Sequence, residues 1–414
     1  MEELVQLQTV LFVGMDQATT DACRVALDRD EQPYEIVEAA TGPDAFRLLS
    51  ERPFDVVVSD FDVPGLVDGQ FMTQAQHRFP GVARIIVSER RDIEHVDLVV
   101  NYAHQFVAAP CHGWELRNAI HRAAHLRDSV PFESIRNDVS GLSVLPTPPR
   151  AFLDVVSVLD NPNSDARQVA NAIERDVALS AKVLQLTNSS FFAPRSRITS
   201  LNQAVVLMGR DVLRSVMLLD TVGRTTSQSG AVRHWLVEVN QRSWETAALA
   251  RRLARPAVAE DAFCAALLLE CGQLAFAACR PELFAELLRQ AGRERRHLDE
   301  LEYEAFGVSH STVGGFLLSL WGFPEEVVNI VASHADLPVL GACEPDAARV
   351  VQAAHQIVAE GEQHLCANRH RVNMSDLSDW GVLTALAEWK GERHPDHLGR
   401  TSAGPSTLMA SAIS

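Results

Sequence analysis

Residues 265–274 read Ala-Ala-Leu-Leu-Leu-Glu-Cys-Gly-Gln-Leu and lie within a predicted helix over 261–279. Cys264 and Cys271 stand seven apart in it, on one helix face, a spacing that suits core packing rather than redox chemistry. The neighbouring segments repeat the helical pattern. Asn163-Ser164-Asp165 supplies caps before a helix over 166–178. Gly209-Arg210-Asp211 stops one helix and caps the next, over 212–219. Further helices are predicted over 235–253, 283–291 and 298–306, then over 346–360 and 376–390. From Leu145 onward no strand-like alternation interrupts them, so this part of the chain reads as all-α.

The chain before residue 127 is built differently. Thr9-Val10-Leu11-Phe12-Val13 is a short β-branched run, repeated at Asp55-Val56-Val57-Val58-Ser59 and Arg84-Ile85-Ile86-Val87-Ser88 and more weakly at Gln105-Phe106-Val107-Ala108. Amphipathic stretches such as 42–49 lie between them. Strands alternating with helices imply a doubly wound α/β fold, a parallel sheet with helices on both faces. The organisation expected is a first domain over 6–127, a polar linker over 128–140, and a helical domain over 141–342. Helices over 343–393 complete that domain, and 394–414 is a turn-rich, frayed tail.

Composition narrows the function classes. The chain has 414 residues, 47% hydrophobic and 22% charged, enough for sizeable cores. Its 54 acidic against 37 basic side chains give a formal charge of −17, which repels a phosphate backbone, so nucleic acid is not an expected partner. No apolar run reaches the roughly 18 residues of a membrane span, and the acidic start Met1-Glu2-Glu3 is unlike a secretory signal, so a cytoplasmic location without membrane attachment is expected. Seven scattered cysteines, none in a Cys-x-x-Cys pair, argue against a disulfide framework. There is no nucleophile elbow, phosphate-cradling loop or dinucleotide fingerprint.

Residues 8–127 resemble the receiver domain of two-component response regulators, with the flavodoxin-like five-stranded sheet which that implies. Asp60 closes the third run and is followed by Phe61-Asp62-Val63-Pro64-Gly65 and then Asp68-Gly69. The resemblance makes Asp60 the phosphoacceptor candidate, Ser88 the hydroxyl beside the phosphoryl group, and Ala109-Pro110 the counterpart of a Lys-Pro pair. Phosphoryl transfer to a carboxylate calls for Mg²⁺ held by an acidic pair. Gly14 and Met15 occupy that pair's place, leaving Asp16 just beyond and Asp62 as partial substitutes. The resemblance is therefore to a degenerate receiver with no secure Mg²⁺ site.

Residues 141–360 resemble the HDOD domain, a non-catalytic relative of HD phosphohydrolases in bacterial signalling proteins. Leu145-Pro146-Thr147-Pro148-Pro149, Ile173-Glu174-Arg175-Asp176 with Leu179-Ser180-Ala181-Lys182, the 183–192 stretch and 198–209 carry it. In HD enzymes an adjacent His-Asp pair binds metal where this chain has Leu269-Glu270, and leucine offers no lone pair. Glu270, His310, His334 and His355 are the remnants of such a site, and Ser243 falls near an upstream histidine's place. Asn188 and Ser189 have the character of caps, and with Phe191 and Phe192 they form a candidate interaction groove.

The expectation is thus a cytoplasmic bacterial signalling protein with no enzyme activity and no cofactor. Its partners would be other signalling proteins of kinase, cyclase or phosphodiesterase type, and homodimer formation is left open. The alternatives are a phosphodiesterase using Glu270, His310, His334 and His355, or a non-catalytic sensor of a nucleotide second messenger.

Overall fold

Strands β1 (Gln8–Val13), β2 (Tyr34–Ala39), β3 (Val56–Ser59), β4 (Ala83–Ser88) and β5 (Gln105–Ala108) pair in parallel in the order β2-β1-β3-β4-β5. The computed structural model describes residues 7–28, 33–66, 69–89, 102–124, 127–143, 145–146, 149–161, 163–189, 192, 194, 196–223, 230–335, 346–360 and 383–393. Asp68, Phe191 and the expected tail over 394–414 lie outside these residues.

The four runs picked out in the sequence are strands, and the fifth, β2, occupies the sheet edge. Its polar content explains why it did not stand out: Glu35 and Glu38 flank the apolar pair Ile36-Val37. Ion pairs from Arg52 to Glu35 at 2.9 Å and from Arg24 to Glu38 at 2.7 Å keep this edge charged.

Alternation along the strands sends side chains to two cores. Leu11, Val13, Val57, Ile86 and Phe106 meet Phe46, Phe71 and Met72 on one face. Val10, Phe12, Val56, Val58, Ile85 and Val87 meet Leu116 and Ile120 of helix Gly113–Ala124 on the other. This second core does not end at the sheet domain. It continues through Val130, Ile135 and Val139 into the helical half as one apolar cluster.

The polar linker expected over 128–140 is accordingly a helix for most of its length, Glu133–Ser140, docked by its apolar side. Arg84, only 1% exposed, clamps its C-terminus. Its guanidinium donates to Tyr102 O (2.7 Å) and Ser140 O (3.0 Å). Neutral His104 accepts from the Arg84 backbone N–H through Nδ1 (2.9 Å) and donates through Nε2 to Ser140 O (2.7 Å). A cation beside a helix C-terminus is favourable, and the guanidinium also satisfies the carbonyls of Pro80 and Val82.

Beyond Pro149 the described residues form helices and loops without a strand. Helix Gly230–Leu253 packs on Ala259–Leu268 and Ala347–Glu360, while Cys271–Cys279 packs on His310–Leu320, which packs in turn on Glu325–Ser333. Three departures from expectation have local causes. The predicted helix over 166–178 is two, because Asp176 leaves helical geometry and its side chain caps Val177–Asn188 by accepting from Leu179 N at 3.1 Å. The predicted helix over 261–279 breaks at Glu270, whose ψ is 10°; Cys264 and Cys271 thus lie on two helices, both buried. Helices His310–Leu320 and Glu325–Ser333 were not foreseen.

The statement that no apolar run is long enough for a membrane span also needs correction. Ala259–Cys279 passes by length and composition once Glu270 is tolerated, and 89% of that window is buried inside the protein.

Candidate functional site

The carboxyl ends of β1, β3 and β4 share one sheet edge, placing Gly14, Asp60 and Ser88 around a common crevice. Asp60 is half-buried. Its Oδ1 accepts the Phe61 backbone N–H at 2.5 Å, and the Ser88 hydroxyl also hydrogen-bonds its carboxyl. Burial raises its pKa above the ordinary carboxylate range; those hydrogen bonds oppose the shift and the Asp62 charge adds to it.

Gly14 has a left-handed φ of 63°, and a Cβ placed there would stand 2.8 Å from Pro64 Cδ. The place of the acidic pair is therefore sterically reserved for glycine. Asp16 does not reach into the crevice. It caps helix Gln17–Leu27 by accepting from Thr19 N at 2.9 Å, and these bonds from Thr19 hold its pKa low. Asp62 stays close enough to repel Asp60. Asp60, Ser88 and Asp62 are thus brought together, whereas Asp16 is a helix cap.

In the helical half, the break at Leu269-Glu270 points Glu270 into a sealed cluster. Glu270, His310, His334 and His355 are all 5% exposed or less. His310 Nε2 is 3.6 Å from Glu270 Oε2 and 3.2 Å from His334 Nε2, and His355 Nε2 is 3.4 Å from Glu270 Oε1. The four residues named from sequence do converge.

Sequence reasoning missed the fifth member. Glu302, fully buried, pairs with His310 Nδ1 at 2.6 Å and accepts the His310 backbone N–H at 2.9 Å. A signal was present: Glu302 shares the apolar stripe Leu298, Leu301, Phe306 of helix Leu298–Phe306, where a carboxylate needs a partner.

The electrostatics of the cluster follow from that pairing. Burial disfavours charge on His310, but Glu302 and then Glu270 overcome it and raise its pKa to about 9. Burial alone would raise Glu270, yet the hydrogen bond from His355 and the charges of His310 and Arg242 hold it well below the ordinary range. His334 is driven down to about 3 by burial and by the His310 charge, and its Nδ1 donates to Val331 O at 2.7 Å. At neutral pH an imidazolium at His310 therefore lies between two carboxylates.

An HD-type metal centre fits this arrangement poorly. Leu269 is packed in the apolar core at 1% exposure. Glu270 meets His310 and His355 at ion-pair distance, and neither of its oxygens has a hydrogen-bond partner of good geometry among the described residues. Among the described residues no group of three or more His, Cys, Asp or Glu side chains is arranged to hold a metal ion. Ser243 is buried at the place considered for an upstream histidine.

The groove residues behave as connectors. Asn188 Nδ2 donates to Leu184 O (3.0 Å) and Ile198 O (2.6 Å), and its Oδ1 accepts from Ile198 N (2.8 Å), tying the following loop to helix Val177–Asn188. Ser189 caps that helix through Leu186 O at 2.5 Å. Phe192 packs against the core. The basic run at 293–296 is neutralised on the surface, Arg293 by Glu286 and Arg296 by Glu304.

Comparison with known proteins agrees with both halves. The HDOD domain family matches residues 145–337. An uncharacterised protein of Treponema pallidum is 26% identical over 195 residues, 47% of this chain and 38% of that protein. The hydrogenase transcriptional regulatory protein HoxA of Cupriavidus necator is 30% identical over 104 residues, 25% of this chain and 21% of that protein. The chain thus spans well under half of either relative. Among solved structures, the response regulator MmoQ of Methylococcus capsulatus is 25% identical, with a TM-score of 0.45 over 52% of this chain and 86% of that one. Residues 145–337 thus match the HDOD domain family, and the residues before them form a five-stranded parallel sheet of the order expected for a receiver.

Proposed function

We propose that this chain is a signal-transduction protein whose HDOD domain regulates other signalling proteins by binding them, without hydrolysing a substrate of its own. The observation that carries the reading is the Glu270 cluster. Where an HD hydrolase would place a metal-bound pair, an apolar side chain enters the core and an imidazolium offsets part of the carboxylates' charge. The residue assignments stay as read from sequence: Asp60 with Ser88 as phosphoacceptor site, Glu270, His310, His334 and His355 as a vestigial site. The unit boundaries proposed are 6–127 for the receiver and 141–342, completed by 343–393, for the HDOD part.

A receiver input would act by favouring one arrangement of the shared core over another, a population shift. Partners of kinase, cyclase or phosphodiesterase type suit such a module. The test is hydrolysis of cyclic and linear phosphodiesters by protein loaded in turn with Mg²⁺, Mn²⁺ and Zn²⁺. Turnover at background supports the reading; turnover that disappears in His310→Ala sinks it and restores the phosphodiesterase alternative.

A further inference from the structure

Between the two halves lies a cavity of about 540 Å³, with none of the Glu270 cluster among its lining residues and lined from both sides. The receiver contributes Trp114, Asn118 and Arg122 from one helix; the HDOD half contributes Gln185, Ser189, Arg197 and Gly322. Its chemistry is unbalanced in favour of positive charge.

Arg122 donates from Nη2 to Gln105 Oε1 at 3.1 Å, and its buried Nε has no hydrogen-bond partner among the described residues. Arg197 donates from Nη1 to the Gly322 carbonyl at 3.1 Å. Neither guanidinium forms an ion pair among the described residues. Burial lowers the pKa of both, Arg122 to about 9 with the Arg197 charge as the second cause, and both side chains line the same cavity. The one acidic lining residue, Glu115, is occupied in accepting the His112 backbone N–H at 2.7 Å. Two desolvated cations with an orphaned donor are costly unless an anion joins them.

The wall at the other end is aromatic. Trp114, Asn118 and Arg122 follow at i, i+4 and i+8 on helix Gly113–Ala124, so the indole stands about 12 Å along the axis from the guanidinium. Trp114 is 58% exposed, unusual for so large an apolar ring. An anion at one end and an open aromatic face at the other, separated by a phosphate chain and a sugar, describe a nucleotide.

We propose that this interdomain cleft binds a nucleotide, its phosphates between Arg122 and Arg197 and its base against Trp114. Because one arginine belongs to each half, the ligand would bridge them and stiffen the seam. Binding here is independent of whether the Glu270 cluster is catalytic, so the hydrolysis test and this one fail separately.

The experiment is calorimetric titration of the full chain with ATP, GTP, AMP, pyrophosphate and inorganic phosphate. The expected result is saturable nucleotide binding, weakened about tenfold or more by Arg122→Gln and by Arg197→Gln, the loss of a charge-assisted bond to phosphate. Trp114→Ala, on the surface, should weaken nucleotides and leave pyrophosphate unchanged. No saturable binding of any probe overturns the proposal, as does binding that both arginine variants leave within about twofold of the parent. Pyrophosphate binding as tightly as ATP, unaffected by Trp114→Ala, overturns the base contact. Should Arg122→Gln not fold, Arg197→Gln and Trp114→Ala decide the outcome.

Discussion

At Asp60 a half-buried carboxylate is repelled by a second one, Asp62, and its charge is borne by the backbone N–H groups of Phe61 and Asp62 and the Ser88 hydroxyl. At Glu270 two buried carboxylates enclose a histidine whose positive charge offsets one of their two negative charges inside the protein. Both places descend, by resemblance, from sites that hold a divalent cation. The receiver crevice keeps the acceptor and leaves its charge to solvent and neighbours. The HDOD cluster has instead closed on itself, with a proton where a metal would sit. The first site leaves its carboxylate half-exposed; the second is sealed within the core.

The sharpest way to break that contrast is His310→Ala. It would leave Glu302 and Glu270 as buried, uncompensated charges, and chemical denaturation should show a loss of about 3–5 kcal/mol. A loss below about 1 kcal/mol, the range of an exposed pair, would mean that the cluster is not the electrostatic keystone described here.

Gly14→Asp tests the receiver side by putting a carboxylate back. The left-handed φ and the Pro64 ring should make it cost about 1–3 kcal/mol, and Mg²⁺ should not restore that stability. Recovery on adding Mg²⁺ would show that the crevice can rebuild a cation site.

A finer measurement compares the parent with His310→Gln across pH. The folded pKa of His310, about 9, is above its unfolded value of about 6.5, so its stabilisation is complete below pH ~6.5 and disappears as pH rises through 9. The stability gap between the two proteins should be widest below pH ~6.5 and narrow through pH 9. The difference is needed because Lys182, depressed to about 7 by burial, makes total stability rise over part of the same range.

Asp60→Asn should have the smallest effect. Removing a carboxylate whose pKa is raised by burial should change stability by no more than about 1 kcal/mol, in the stabilising direction at neutral pH. A large destabilisation would place Asp60 in the same structural class as Glu270.

Much of this was legible from sequence because local pattern and global fold agree. The β-branched runs that became β1, β3, β4 and β5 are buried on both faces, so they read as continuous apolar stretches. β2 escaped because it is an edge strand whose short apolar pair, Ile36-Val37, is flanked by glutamates on both faces. The convergence of Glu270, His310, His334 and His355 could be proposed, since each stands at a recognisable place. Their state could not, because it is set by Glu302, an ordinary glutamate until helix Leu298–Phe306 turns it inward. The clamp of Arg84 and His104 on Ser140 was hidden for a similar reason: arginine in a strand reads as surface, and its partners are backbone carbonyls that leave no trace in side-chain pattern.

The apolar cluster that runs unbroken from the sheet into the helices makes the receiver a poor spare part. A module ending at its own surface can be unbolted and exchanged for another; this one shares its inner lining with its neighbour. Cutting the chain between 127 and 145 would bare Leu116, Ile120 and Val130 on one piece or Ile135 and Val139 on the other, surfaces of the kind that make fragments stick together. Any transplant of this receiver onto a different output would have to carry helix Glu133–Ser140 with it as a gasket.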